Sequence, residues 1–246
     1  MAKFAKPKSI VNTTEYCGGC GHGVIQRLIA ESIEELGLQD KTIGVVDIAC
    51  SYWSFDALDY DMIAGPHGRL AAVATGIKKV RPNANVYVHS GDGCAYVIGL
   101  SETSYAAIRD IPITMIVANN GIFGMTGGQM NLATTLIGDK TVSSVHGRDP
   151  KTMGHPVDML KAFQTYDVEF LARGALYDVK HIEQTKKYIK KGLENQRDGK
   201  GFSLIEVLSP CPTNWKLSPV QAMEKIKNEN EKVFPLGVYT DRGGEK

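Results

Sequence analysis

The chain has 246 residues, with 28 Lys and Arg against 27 Asp and Glu and a formal net charge of +1. Hydrophobic residues make up 43% and charged residues 22%, ordinary proportions for a folded domain with a real core. So even a balance of charge excludes a field that calls for nucleic acid or an anionic membrane surface, and no apolar run approaches the roughly 20 residues that a membrane-spanning helix needs.

Residues 1–16 read as an irregular arm. They carry basic residues without a following apolar core, so they do not form a secretory signal, and a cytoplasmic protein is expected. Residues 17–23 (CGGCGHG) form a tight glycine-rich loop. Over 24–36, Ile25, Leu28, Ile29, Ile33 and Leu36 recur at helical spacing, and Gly37 supplies a terminator. The run TIGVVDI at 42–48 reads as a buried strand that ends on Ala49-Cys50-Ser51. A loop bearing Tyr52, Trp53, Phe55 and Tyr60 follows, then a turn at 63–69 (IAGPHGR) into a helix over 70–80.

Residues 85–90 read as the next strand and 94–109 as a helix, closed by Asp110 and Pro112. Another apolar strand covers 113–118. Residues 130–155 show little periodicity, and loops of that length inside a domain are usually functional. A short helix at 157–166, a strand at 168–171, a charged helix at 179–196, a strand at 202–208 and a surface helix at 219–232 complete the chain, before a polar end. Strands and helices alternating at these lengths predict an α/β fold, a mainly parallel sheet with helices on both faces. The expectation is one domain over 1–246, with an N-terminal cysteine loop and a C-terminal helical tail.

Two strand ends carry chemistry. Gly91-Asp92-Gly93 follows one strand and Asn119-Asn120 ends another, with 27 residues between Asp92 and Asn120. In an open parallel sheet, ligands bind beyond the carboxyl ends of the strands. Gly91 and Gly93 allow close backbone approach, and the helix start after them offers unpaired N–H groups to an anion. Mg²⁺ takes about six oxygens, shared among carboxylate, carbonyl, water and substrate phosphate. Asp92 supplies charge, Asn120 a neutral oxygen, and the carbonyl of Ile122 a third ligand where the loop turns back. Each tripeptide alone is common turn chemistry. Together, with a strand before each and a helix between, they point to a Mg²⁺-diphosphate site.

Five cysteines without a secretory signal argue against a disulfide framework. Cys17 and Cys20 form a Cys-x-x-Cys loop, while Cys50 and Cys211 each follow a strand end. If the strands are parallel, these four share one face with the Mg²⁺ site, where zinc or an iron–sulfur cluster could be held. Zinc ribbons usually use two close pairs; the split second pair here favours a cluster. A redox dithiol at Cys17/Cys20 and buried core thiols at Cys50 and Cys211 are the plainer alternatives. Cys94 directly follows the Gly-Asp-Gly corner, where small buried packing is its simplest role.

The Gly-Asp-Gly and Asn-Asn segments resemble the thiamine diphosphate motif. TEYCGGCGHG, IACSYWS, GPHGRLAAVATGIK, NNGIFGMTGGQ and SPCPTNW then match, in order, the β subunits of 2-oxoacid:ferredoxin oxidoreductases. Gly18 stands where the family usually has proline. The resemblance covers roughly residues 12–235.

It implies a thiamine diphosphate-binding fold, with Asp92, Asn120 and Ile122 on Mg²⁺ and a [4Fe–4S] cluster on Cys17, Cys20, Cys50 and Cys211. Cys50, Ser51, His67, Gly91, Asp92, Gly93, Cys94, Asn120, Ile122, Met125 and Thr126 are the implied cofactor contacts. Thr126 and Gln129 belong to a segment that covers the cofactor, and Met125 is expected near its thiazolium ring. His22, His67 and Arg69 are candidate catalytic side chains. His22 lies in the cysteine loop; His67 and Arg69 lie at a helix start where an anion can bind. A loop-ordering histidine and a solvated arginine are the plainer readings.

The implied reaction is oxidative decarboxylation of a 2-oxoacid with coenzyme A to acyl-CoA and CO₂, electrons leaving through the cluster to ferredoxin. The 2-oxoisovalerate and 2-oxoglutarate members are the most similar. A second cofactor-binding domain and an activating glutamate are missing from the sequence. The resemblance places them on a separate α subunit, alongside γ and ferredoxin-like δ subunits. A non-oxidative thiamine diphosphate enzyme half, or a cysteine-ligated zinc or electron-transfer module, are the alternatives.

Overall fold

The structure is a computed structural model and describes residues 5–244. In chain order its elements are α1 (Gly21–Glu35), β1 (Thr42–Asp47), β2 (Asp61–Gly65), α2 (Leu70–Val80), β3 (Asn85–Gly91), α3 (Leu100–Ile108) and β4 (Thr114–Asn119). A small hairpin, β5 (Ile122–Phe123) with β6 (Gln129–Met130), precedes α4 (Pro150–Met153), α5 (Met159–Phe163), β7 (Phe170–Ala175), α6 (Val179–Arg197) and β8 (Ser203–Leu208). The tail adds α7 (Pro212–Trp215), α8 (Pro219–Lys225), α9 (Glu231–Val233) and β9 (Gly237–Asp241).

Seven strands form one sheet in the order β2-β1-β3-β4-β8-β7-β9. All neighbours are parallel except β9, which runs antiparallel to β7. The α/β reading holds, and both faces are covered. The side chains of β3 and β4 alternate between two apolar layers. Val86, Val88, Met115 and Val117 pack with α2, α3 and α5. Tyr87, Ile116 and Ala118 pack with α1 and α6. Central strands buried on both faces account for the near-continuous apolar runs in the sequence.

β1 has β2 on one side and β3 on the other, so the chain reverses its direction of travel across the sheet between β1 and β3. Such a switch point opens a crevice at the carboxyl ends of the two strands. Asp47 ends β1 and Gly91 ends β3.

Local readings shifted where tertiary pairing overrides pattern. β2 lies where a turn is expected: it is a mostly exposed edge strand without an apolar run, formed by pairing with β1. β9 lies in the polar end and likewise exists through its partner, β7. α1 begins three residues early, at Gly21, whose added Cβ would lie 2.1 Å from Ser209 Oγ. The 94–109 helix is broken: Gly93–Ile98 is wound wide, closed by Gly99 N to Cys94 O at 2.9 Å, and α3 starts at Leu100. A Cβ at Gly99 would meet Gly68 O at 2.3 Å, so the break coincides with a close backbone crossing. β7 extends to Ala175 because Arg173, which interrupts its apolar run, is buried and paired with Glu206 of β8 at 2.6 Å.

Among the described residues, no helix is long and apolar enough to cross a membrane.

Candidate functional site

The crevice at the β1/β3 switch point is lined by His22, Asp47, Ala49, Cys50, His67, Gly91, Asp92, Gly93, Cys94, Asn120, Ile122, Phe123, Gly124 and Met125. Most residues singled out in the sequence therefore meet in one place, although they come from five separate segments.

Asp92 is fully buried. Its Oδ1 accepts from Gly93 N at 3.0 Å, and its Oδ2 accepts from Gly121 N at 2.8 Å and from the Thr134 hydroxyl. Gly121 reaches this position with φ +71°, a conformation that favours glycine. Burial pushes the carboxyl up to about 7; the three donors oppose that shift. An ionised carboxylate offers about four lone-pair sites, so three donors leave room for one further electrophile. A divalent cation there would offset the burial cost. Asn120, nearly buried, accepts from Ile122 N at 3.1 Å and retains acceptor capacity on the same oxygen. The indole of Trp215 donates to its carbonyl at 3.1 Å. One carboxylate, one amide oxygen and the neighbouring Ile122 carbonyl fit a Mg²⁺-diphosphate group.

The long segment over 130–155 supplies Thr134, a residue the sequence reading missed. Its shape is held by Arg148, which is buried and donates to five backbone carbonyls: Leu132 at 2.7 Å, Thr135 at 2.6 Å, Met153 at 3.3 Å, Gly154 at 2.9 Å and His155 at 2.9 Å. Thr135 in turn donates its hydroxyl to Gly121 O. The loop thus packs its polar backbone onto one guanidinium and delivers a hydroxyl to Asp92.

The four cysteine segments converge beside this crevice. Cys20 N bonds Cys17 O at 3.0 Å, closing the Cys-x-x-Cys turn, and Gly21 N bonds Pro210 O at 3.0 Å, next to Cys211. A Cβ built on Gly124 would lie 3.4 Å from Cys50 Sγ and 3.8 Å from Cys211 Sγ. Asn214 Nδ2 donates to Cys211 Sγ at 3.5 Å and to Gly124 O at 3.0 Å. Burial first, then the neighbouring thiols, pushes Cys20 up to about 12 and Cys50 up to about 11; burial also raises Cys211. Ligation by a cation would reverse that, expelling the thiol protons. Tetrahedral zinc, with Zn–S near 2.3 Å, holds its sulfurs about 3.8 Å apart. Among the described residues, no three of these sulfurs lie within 4.8 Å of one another. The spacing is wider than that of a tetrahedral zinc site.

The remaining candidates separate. His22 is buried, and its Nδ1 lies 3.0 Å from Nε2 of His89, a second buried histidine that the sequence hid inside an apolar strand. His67 lines the crevice and bonds Asp47, whose place at the end of an apolar strand was the available signal. Cys94 is buried, and its Sγ accepts from Gly68 N at 3.2 Å. Met125 sits on the rim, 43% exposed. Besides Cys17, Cys20 and Cys211, three candidates lie outside the lining. Ser51 accepts from Asp47 N at 3.1 Å, Arg69 is half exposed and paired with Glu102, and Thr126 is paired with Gln129.

Comparison with known proteins gives the family and the fold. The model of the thiamine pyrophosphate enzyme C-terminal TPP binding domain matches residues 45–207. The chain is 40% identical, over 98% of its length, to the ketoisovalerate oxidoreductase subunit VorA of Methanothermobacter thermautotrophicus, and it spans about half the length of that relative, 50%. It is 34% identical to the 2-oxoglutarate synthase subunit KorB of Archaeoglobus fulgidus, with 87% of this chain and 76% of that one covered. The 2-oxoglutarate:ferredoxin oxidoreductase of Magnetococcus marinus shares the fold, with a TM-score of 0.78 at 24% identity over 99% of this chain and 87% of that one. The chain belongs to the 2-oxoacid:ferredoxin oxidoreductase family, among its thiamine pyrophosphate-binding subunits.

Proposed function

We propose that this chain is the β subunit of a 2-oxoacid:ferredoxin oxidoreductase, which converts a 2-oxoacid and coenzyme A to acyl-CoA and CO₂. The observation that carries this reading is the adjacency of two sets of residues. Asp92, Asn120 and Cys50 line one crevice, and Gly124 on its wall lies against both Cys50 and Cys211. Bound thiamine diphosphate supplies carbanion stabilisation at the substrate carbon that loses CO₂. In this reading, Asp92, Asn120 and the Ile122 carbonyl hold Mg²⁺ and the diphosphate. Gly91 and Gly93 let the backbone approach, and Cys17, Cys20, Cys50 and Cys211 would hold a [4Fe–4S] cluster, which would supply an electron outlet toward ferredoxin.

No glutamate lines the crevice among the described residues. The relatives are named as subunits, which supports a partner α subunit that brings the activating carboxylate, with γ and ferredoxin-like δ subunits completing the complex in the cytoplasm. As substrate we favour 2-oxoisovalerate, with 2-oxoglutarate next. The support is 40% identity to the ketoisovalerate relative against 34% to the 2-oxoglutarate relative, and an apolar Met125 at the rim.

The test is the complex co-purified anaerobically with its partners, assayed with coenzyme A, a viologen acceptor and a panel of 2-oxoacids. Reduction of the acceptor, fastest with 2-oxoisovalerate, is expected. Bound cofactor without iron and sulfide would move the assignment to a non-oxidative thiamine diphosphate enzyme. Absence of both would leave neither reading standing.

A further inference from the structure

Asp47 was not a candidate in the sequence, and the reaction just described assigns it nothing. It is fully buried at the end of β1, beside the switch-point crevice. Its backbone N–H is tied to Ser51 Oγ at 3.1 Å, which fixes the residue relative to the Cys50 turn. Oδ1 lies 2.7 Å from His67 Nδ1. Oδ2 has no hydrogen-bond partner among the described residues. Cys94 Sγ faces the pair, and the three ligand atoms of Asp47, His67 and Cys94 lie within 4.8 Å of one another.

We infer that Asp47 is the positioning residue for His67, holding the imidazole by its Nδ1–H in one direction for the diphosphate of the cofactor. The inference rests on the thiamine diphosphate reading of the crevice. A buried carboxylate accepts and cannot donate when ionised, so the 2.7 Å contact takes the Nδ1–H of the ring. That leaves Nε2, which makes no hydrogen bond among the described residues, as the ring nitrogen available to the crevice. The ring is held on a second side by Phe123, edge to face at 6.0 Å and 62°.

The segment carrying His67 is anchored as well: Gly68, at φ +79°, donates to Cys94 Sγ, and a Cβ there would strike Ile98 at 2.5 Å. Three contacts from β1, from the Gly93–Ile98 turn and from the β5 hairpin thus converge on one imidazole in the wall of the crevice. A carboxylate behind a histidine is a general device for fixing which nitrogen works. A hydrogen bond from Nε2 to an anionic oxygen requires a hydrogen on both ring nitrogens, and the Asp47 carboxylate lies where it would offset that charge.

The test uses the complex purified with its partner subunits and stripped of cofactor, with thiamine diphosphate binding followed calorimetrically in saturating Mg²⁺. Asp47→Asn keeps the shape and removes the charge. We expect it to weaken cofactor binding roughly 10–100-fold, the usual effect of losing such an outer partner. In the assay, the deficit should appear in the half-saturating cofactor concentration. His67→Gln should cost a similar factor. Asp47→Asn placed on His67→Gln should add less than about twofold, because no imidazole remains to be held. Equal losses in both backgrounds would assign Asp47 a merely structural role and overturn the inference, as would wild-type binding by Asp47→Asn. Asp92→Ala separates the two levels. If it abolishes binding while Asp47→Asn does not weaken it, the positioning role alone fails. If it binds as wild type, the cofactor reading fails and this inference with it.

Discussion

The hydroxyl of Thr134 donates to Oδ2 of Asp92, 42 positions earlier in the chain. That bond joins an aperiodic loop to the carboxylate proposed to hold Mg²⁺. Burial holds the Asp92 carboxyl near 7, and Thr134 is the first of the contacts that pull it down. Thr134→Val keeps the volume and removes the donor. The carboxyl then rises further, and more of it must shed a proton before accepting Mg²⁺. The expected result is Mg²⁺-dependent cofactor binding weakened about tenfold at pH 7, the worth of one hydrogen bond to a charged group, and largely recovered at pH 9. A Mg²⁺ titration at the two pH values measures this; equal affinity for wild type and variant would remove Thr134 from the site.

Arg148 tests whether the loop is built or merely tethered. Five carbonyls share its guanidinium, and its fork cannot be copied by an ammonium. Arg148→Lys should therefore behave much like Arg148→Ala. Both are expected to cost about 3 kcal/mol of unfolding free energy, because buried acceptors are left unpaired. Protease should cut first within residues 130–155. Denaturant melts and limited proteolysis read out both effects, and full rescue by lysine would contradict the fork argument.

The His22–His89 pair predicts an acid-sensitive fold. At 3.0 Å one ring nitrogen donates and the other accepts, an arrangement that two neutral rings satisfy. Burial lowers His22 to about 4; burial, with His22 second, puts His89 well below the usual histidine range. Both folded values lie below the ordinary unfolded value near 6.5. The stability they contribute is complete above that value and is lost as pH falls through 6.5 toward 4. His22 alone should account for about 2 kcal/mol by pH 5. Urea midpoints at pH 7.5 and 5 should show the drop, and His22→Gln should flatten it. A wild-type midpoint that does not move between those pH values would rule the account out.

The cysteines divide into two classes by their surroundings. Cys50 and Cys211 both flank Gly124, whereas Cys94 lies on the Asp47–His67 side, bonded by Gly68 N. Cys50→Ser and Cys211→Ser should lose most of the iron and the visible absorbance of anaerobically prepared protein. Cys94→Ser should keep both. Retention of the spectrum in Cys50→Ser would break the four-cysteine assignment.

Buried salt-bridge geometry supports the same corner from behind. Glu206 Oε1 accepts from Arg173 Nε at 2.6 Å and from Asn119 Nδ2 at 3.1 Å, next to Asn120. Arg173 also reaches Asp158 at 2.6 Å and the carbonyl of Pro235 at 3.0 Å. Arg173→Ala should destabilise by about 3–5 kcal/mol, since it leaves a buried carboxylate uncompensated. Arg173→Met together with Glu206→Gln should recover much of that loss. Thermal melts of the three proteins decide it, and additive losses would contradict the pairing.

By itself the sequence determined what is written in short-range pattern. Apolar runs marked β1, β3, β4 and β8, and helical spacing marked α1. Turn chemistry at strand ends exposed Asp92, Asn120 and the Cys17–Cys20 loop. These signals are local because the alternation of a buried strand and the backbone demands of a Gly-Asp-Gly corner are properties of a few consecutive residues. Only the tertiary structure decided which distant groups face each other. β2 and β9 exist because β1 and β7 lend them hydrogen bonds. Asp47 matters because the reversal of direction between β1 and β3 brings His67 to it, and Thr134 because Arg148 folds a loop over Asp92. Each of these pairs spans 13 or more positions, as with Asp47 and His67, 20 apart. No periodicity records such a pairing, because its energy comes from burial and geometry that arise once the sheet has closed around it.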